Sequence, residues 1–291
     1  MAEPRASLLP VPVVVAAIIV LWYLAAIGMN AAWTYDQAAR AGTTPGLWDV
    51  LRDTMGQERP RLPAPHQVAA ELWRSIVLLP PTSKRSLLYH AWITLSATLA
   101  GFAIGTAAGL ALAVGIVHNR AMDLSVMPWA IASQTIPILA IAPMIIVVLN
   151  SVGVTGLLPK AIISAYLSFF PVVVGMVRGL RSPEASQLDL MRTWVATPGQ
   201  VFWRLRLPAS LPWLFAALKV AVAAALVGAI VGEMPTGAVA GLGARLLSGS
   251  YYGQTVQIWA ALFTAAGLAA ILVAAVGLIQ RLVLGRMGLA G

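Results

Sequence analysis

LYHAWITLSATLAGFAIGTAAGLALAVGIV, residues 88–117, contains no Asp, Glu, Lys or Arg. A helix rises about 1.5 Å per residue and needs about 20 apolar residues to cross a hydrocarbon core of roughly 30 Å, so this stretch reads as a membrane-spanning helix. Inside it Gly101, Gly105 and Gly109 recur every fourth residue, leaving one stripe of the helix without side-chain bulk. Another helix can approach closely there, so these glycines are read as a packing surface rather than a transport element.

The rest of the chain follows the same pattern. Of 291 residues, 59% are hydrophobic and 10% charged, with a mean hydropathy of +0.84, far from the composition of soluble domains. Apolar segments run from residue 8 to residue 284 with no soluble block as long as a domain, which predicts a single membrane domain over 1–291. The formal charge of +9 comes from Lys and Arg placed between spans, a membrane-protein distribution rather than a nucleic-acid-binding face. The absence of cysteine excludes disulfides, Cys-ligated zinc and thiol catalysis.

Six spans are expected. The first covers residues 8–29, with an apolar core longer than that of a cleaved signal peptide. Residues 30–65 alternate acids and arginines among Gly and Pro and read as an exposed loop. The following HQVAAELWRSIVLL sets Val68, Leu72, Ile76 and Leu79 opposite Glu71 and Arg74, a helix suited to the membrane interface. Together, 30–87 is read as an extracytoplasmic loop with an interfacial helix. After 88–117 come a third span at 124–149, interrupted by Pro128, Pro137 and Pro143, a fourth at 157–177, a fifth at 211–231 and a sixth at 256–280. Prolines free backbone carbonyls, which a membrane tolerates only where protein or water surrounds them, so the third span is a candidate pore lining.

Six spans place both termini on one side. The short loops opposite the N-terminus carry only Lys160 and Arg245, whereas those on its own side carry Arg120, Arg178, Arg181, Arg192, Arg204 and Arg206. The positive-inside rule therefore puts both termini in the cytoplasm and segment 178–210 on the cytoplasmic face.

Self-contained catalysis has no support in the sequence. GVTGLLPK, residues 153–160, lacks the GK[ST] ending of a phosphate-binding loop. His66, His90 and His118 fall in separate loops or span ends, without metal-ligand spacing, and read as interface histidines. No acid sits in the middle of a span, where ion-coupled carriers commonly place one. Glu233, just past the fifth span, is read as lying beside the outer mouth. An ATP-independent carrier or channel remains the alternative.

Residues 180–221, LRSPEASQLDLMRTWVATPGQVFWRLRLPASLPWLFAALKVA, predict a short stand-off helix at 187–194 and then an Arg-Leu-Pro entry into a membrane helix. This segment resembles the coupling loop of bacterial ABC importer permeases, whose pattern is Glu-Ala-Ala, three residues, Gly, then nine residues to an apolar-x-Leu-Pro, here Leu205-Arg206-Leu207-Pro208. Leu207-Pro208 supplies the end of that pattern and Arg192 stands at the spacing of a common arginine. The sequence departs from it at Asp189, Leu190 and Met191, and places Val195 where the family has glycine. The likeness extends to LPAPHQVAAELW (62–73), GFAIGTAAGLALAVGI (101–116), PWAIASQTIPILAIAPMIIVVLNSVGV (128–154) and GEMPTGAVAGLGARLL (232–247), which look like the nitrate, sulfonate and taurine branch.

The resemblance implies an all-α, polytopic bundle of the type I importer permease fold in the bacterial inner membrane. It implies a second permease subunit, a cytoplasmic ATPase dimer and an extracytoplasmic substrate-binding protein, with ATP and Mg used by the ATPase and no cofactor or metal on this chain. On that reading Asp189, Arg192, Val195, Arg204, Leu207 and Pro208 form the ATPase-coupling element. The solute would be small and organic or anionic, such as a sulfonate, taurine, nitrate or pyrimidine-type precursor. Polar residues within apolar spans, Gln134, Thr135, Asn150, Ser164, Tyr166 and Ser168, are candidates for the path together with Glu233, although interhelical hydrogen bonding explains each equally well.

Overall fold

A computed structural model describes residues 10–235 and 240–288, which are helical apart from their connections. Arg5, the first residues of the expected N-terminal span and residues 236–239 of the Gly-rich loop lie outside the described residues. Among the described residues, five helical runs are long and apolar enough to cross a membrane: α1 (Pro10–Arg40), α4 (Leu87–His118), α7 (Leu157–Leu180), the run ending in α10 (Leu207–Glu233) and α12 (Thr255–Arg286). A sixth exists if α5 (Arg120–Ser133) and α6 (Ile138–Ser151) count as one span.

That third span, expected over 124–149 with prolines interrupting it, is broken into two helices. Its two halves meet at 101° across a break of four residues. Each half has 14 residues, about 21 Å at 1.5 Å per residue, too short to cross alone. Pro137 lies in the break as the N-cap of α6 and cannot donate the hydrogen bond that would carry α5 onward. Pro128 and Pro143 are accommodated inside their helices.

The chain divides into two compact units. The first comprises the chain up to Leu88 together with Arg245–Thr264, the second Tyr89–Ala244 together with the chain from Ala265 onward. In the first unit, residues 30–65 are more ordered than the exposed loop predicted. The helix α1 continues to Arg40 and is followed by α2 (Leu47–Gly56). Residues 30–40 contain neither Gly nor Pro, so nothing stops the helical ladder where polarity rises. The polar residues are used: Asn30 donates to the Leu62 carbonyl at 2.8 Å and accepts from its amide at 3.1 Å, while Thr34 donates to Asp53 at 2.6 Å. Next come α3 (Pro65–Trp73), a π-helical turn over Arg74–Leu78, and α11 (Leu242–Tyr251), most of which belongs here. Trp22 and Trp259 pack with ring centroids 4.9 Å apart.

In the second unit α7 and α10 are the central pair, half and 44% buried over their apolar windows. Small residues set their separation. A side chain at Gly228 would come within 2.7 Å of the Ser164 Cα, and one at Gly179 within 2.8 Å of the Ser210 Cβ. The Gly101, Gly105 and Gly109 stripe of α4 lies on α7 in the same manner, against Ser164, Ser168 and Val172. Lipid is as apolar as leucine, so such close packing, rather than water exclusion, supplies the attraction between these helices. Ala113, Ile116, Val173, Met176, Val177 and Leu180 form the buried cluster at one end of the pair.

Candidate functional site

The segment 178–210 folds as a short helix, α8 (Ala185–Thr193), then α9 (Pro198–Val201) and a π-helical turn, Phe202–Arg206, that feeds directly into α10. Helix α8 starts where Gln187 reaches back to the Glu184 amide at 3.1 Å. It ends in a Schellman motif: the Val195 amide bonds the Arg192 carbonyl at 2.9 Å and the Ala196 amide bonds the Met191 carbonyl at 3.0 Å. This geometry requires a left-handed residue after the C-cap, and Val195 adopts φ 51°, the only non-glycine residue with positive φ among the described residues. The family pattern has glycine here. A β-branched residue takes that conformation only at an energetic cost, so the departure seen in the sequence falls at a position of conformational demand.

The surface of α8 is suited to a partner. Asp189 and Arg192 form an exposed ion pair at 2.8 Å. Beside them Leu190, Trp194 and Val195 are exposed, Val195 at 88%, as is Trp203 on the π-helical turn. Thr197 and Gln200 cap α9 reciprocally, at 3.3 and 2.9 Å. The π-helical turn widens the ladder just before Pro208, with the Leu207 amide bonding the Phe202 carbonyl one residue beyond the α-helical partner. A proline ring crowds the carbonyl four residues back, and the wider turn relieves that crowding at Arg204. Arg204 is exposed, and Leu207 packs against the buried cluster at the ends of α4 and α7. A cavity of about 390 Å³ lies among His118, Leu188, Arg192, Pro198, Val201 and Arg206. Loop and bundle thus share a wall, and Arg181 bonds Asp123 of α5 at 2.9 Å.

The candidate path residues separate into three groups. Gln134 and Thr135 lie at the break between α5 and α6, and Tyr166 of α7 donates its hydroxyl to the Ser133 carbonyl at that break. Asn150 is exposed near the far end of α6. Ser164 and Ser168 are fully buried between helices: Ser164 donates to the Ala225 carbonyl at 2.7 Å and Ser168 to that of Ala165 at 3.2 Å. Those two hydroxyls are committed to helix packing and leave no face toward solvent in this chain.

Glu233, read as lying beside the outer mouth, is also fully buried. Its carboxylate accepts from the Thr94 hydroxyl at 2.9 Å and from the Gly243 amide at 2.7 Å. Thr94 in turn accepts from the Leu242 amide at 2.9 Å. His90, also buried rather than interfacial, accepts from the Gly241 amide at 2.9 Å through Nδ1, which fixes the proton on Nε2. Gly241 has φ 128°, and a side chain there would overlap the Glu233 carboxylate. Three successive amides of the Gly-rich loop are therefore bound by side chains of α4 and α10. Sequence reading missed His90 and Thr94 as partners because they lie about 140–150 residues from the groups they bind. Among the described residues no group of His, Cys, Asp and Glu could hold a metal ion.

Residues 101–288 match the family described as binding-protein-dependent transport system inner membrane component. The chain is 32% identical over 197 residues to the formylaminopyrimidine transport permease protein ThiX of Halalkalibacterium halodurans, covering 68% of this chain and 74% of that one. It is 32% identical over 221 residues to the riboflavin transport system permease protein RibX of Chloroflexus aurantiacus, covering 76% and 78%. Over 176 residues it is 27% identical to the putative aliphatic sulfonates transport permease protein SsuC of Bacillus subtilis, covering 60% and 61%. The chain belongs to the binding-protein-dependent inner-membrane component family and is the permease subunit of an ABC transporter.

Proposed function

We propose that this permease forms part of the translocation path of an importer for a small pyrimidine-bearing solute and that α8 with its exit turn docks on the cytoplasmic ATPase that drives it. The observation that carries the docking reading is the surface of α8: an exposed Asp189–Arg192 pair beside exposed Leu190, Trp194 and Val195, on a helix capped at both ends. A capped helix transmits displacement as a rigid piece, and the short run through α9 and the π-helical turn leads it into α10. ATP-driven closure of two ATPases would move α8 and rock the helices between outward-facing and inward-facing states. The assembly has two permeases, identical or distinct, two ATPases and an extracytoplasmic binding protein. Both termini and 178–210 face the cytoplasm.

The solute reading rests on the relatives named for formylaminopyrimidine and riboflavin transport, whose cargoes share a pyrimidine ring. The break between α5 and α6 offers suitable groups, since Gln134 can hydrogen-bond a ring edge and the Tyr166 ring can stack on its face. A sulfonate-type anion is the second reading, favoured by the aliphatic sulfonates relative.

The test is ATPase turnover of the purified assembly in lipid, with and without its binding protein, for the native chain and Asp189→Ala/Arg192→Ala. An exposed ion pair contributes at most a few tenths of a kcal/mol, about 0.3–0.5, so the variant retains its fold. Loss of stimulated turnover with the assembly intact is expected. Solute flux without any associated ATPase would replace the importer reading with a carrier or channel.

A further inference from the structure

Two polar cavities adjoin in the first unit and are used by neither the docking loop nor the path residues. One, of about 320 Å³, is lined by Arg74, Arg85, Arg245, Gln254 and Gln257. The other, of about 490 Å³, shares Arg74, Gln254 and Gln257 and adds Glu58, Arg59 and Glu71. Four arginines thus face two carboxylates across the pair. Glu71 pairs with Arg74 at 2.9 Å and accepts from the Ser75 hydroxyl at 2.8 Å, which leaves Arg59, Arg85 and Arg245 against Glu58 and keeps the lining net positive. Among the described residues Arg85 and Arg245 have no carboxylate within ion-pairing distance.

Arg245 is only partly exposed, and one guanidinium nitrogen donates to the Arg85 carbonyl at 3.5 Å. Burial lowers its pKa and the neighbouring Arg74 lowers it further, opposed by Glu71. A partly buried cation beside a second arginine is held at a cost that an anion in the cavity would remove. The flanking surface is apolar, with Trp73, Val77 and Leu78 exposed beside Arg74. An aromatic and two aliphatic side chains beside an arginine cluster are what a protein presents to the headgroup boundary of a bilayer.

We propose that Arg85 and Arg245, with Arg74, Gln254 and Gln257, form an oxyanion site that holds the phosphate of an anionic phospholipid, phosphatidylglycerol. The guanidinium groups meet the phosphate oxygens, the chemistry that arginine forks serve best. The net positive lining favours an anionic headgroup over a zwitterionic one. A free oxyanion such as sulfate shares the same recognition chemistry, so the test separates the two sources.

The measurement is lipid retention on the purified full-length permease by native mass spectrometry, with dioleoylphosphatidylglycerol and dioleoylphosphatidylethanolamine as probes and sodium sulfate as competitor. The native chain is expected to retain phosphatidylglycerol in preference, with R85Q/R245Q lowering that retention at least tenfold and leaving phosphatidylethanolamine unchanged. If millimolar sulfate displaces phosphatidylglycerol and alone raises the melting temperature of the native chain but not of the double variant, the site stands with a soluble oxyanion as its occupant. Equal retention by native chain and double variant, or binding of neither probe by the native chain, overturns the proposal. Should the double variant not assemble, Gln254→Glu keeps the arginines and sets a carboxylate against them. It is expected to weaken phosphatidylglycerol retention in the same direction, and unchanged retention there overturns the proposal equally.

Discussion

Val195 carries a conformational cost at the surface read as a docking element. A left-handed backbone costs an L-residue roughly 1–2 kcal/mol, and glycine almost none. Val195→Gly is therefore expected to stabilise the exit of α8, slowing amide hydrogen exchange over residues 191–196 by about tenfold, since 1.4 kcal/mol is a factor of ten. Unchanged exchange would mean that the loop relaxes around Val195 without strain. Glu233 presents the opposite case, a residue whose removal leaves donors stranded. Glu233→Ala abandons the buried Gly243 amide, a loss of about 1–3 kcal/mol before any cavity is counted. Glu233→Gln keeps an acceptor for that amide and turns its own amide toward the Thr94 hydroxyl. The alanine variant is expected to melt several degrees below the native chain and the glutamine variant close to it. Equal melting of the two would assign the carboxylate no part in holding the Gly-rich loop.

At the scale of elements, the small-residue stripe of α4 makes a directional claim about which faces tolerate bulk. A side chain at Gly105 would come within 2.8 Å of the Ala165 carbonyl, backbone that cannot rotate away, whereas Ala108, three residues on, is exposed. Overpacking costs typically 1–3 kcal/mol. Gly105→Val is accordingly expected to reduce the fraction surviving as a monodisperse peak after heating, while Ala108→Val leaves it unchanged. Loss in both would point to a general intolerance of α4 rather than to its contact with α7. The stripe was readable because its period is that of the helix, and so were the spans 88–117, 157–177 and 256–280, whose apolar lengths set them. The continuation of α1 to Arg40 was hidden, because polarity resembles a loop unless the partner that takes it up, here Leu62 and Asp53, is known. The prolines marked the third span as irregular, but three of them in 124–149 do not say which one breaks the helix. The answer depends on α7, where Tyr166 secures a carbonyl at the break.

For the whole molecule the open quantity is how many times the chain crosses. Counting α5 and α6 as one broken span gives six crossings and places both ends of the chain on one side. Counting the pair as a re-entrant loop gives five and places the ends on opposite sides, because neither half, at about 21 Å, crosses alone. Arginines favour six: Arg120, Arg192, Arg204 and Arg206 then fall on one face, as the positive-inside rule asks. The chain has no native cysteine, so single replacements report topology without background. With a membrane-impermeant maleimide on intact cells, Ser83→Cys and Gly253→Cys are expected to label. Asn119→Cys and Thr193→Cys are expected to label only after the membrane is opened. The deciding position is Gly153, between α6 and α7: six crossings make Gly153→Cys accessible from the same side as Ser83→Cys. Labelling of Gly153→Cys only alongside Asn119→Cys would make α5 and α6 a re-entrant hairpin, putting the 178–210 segment on the face opposite the one an ATPase needs.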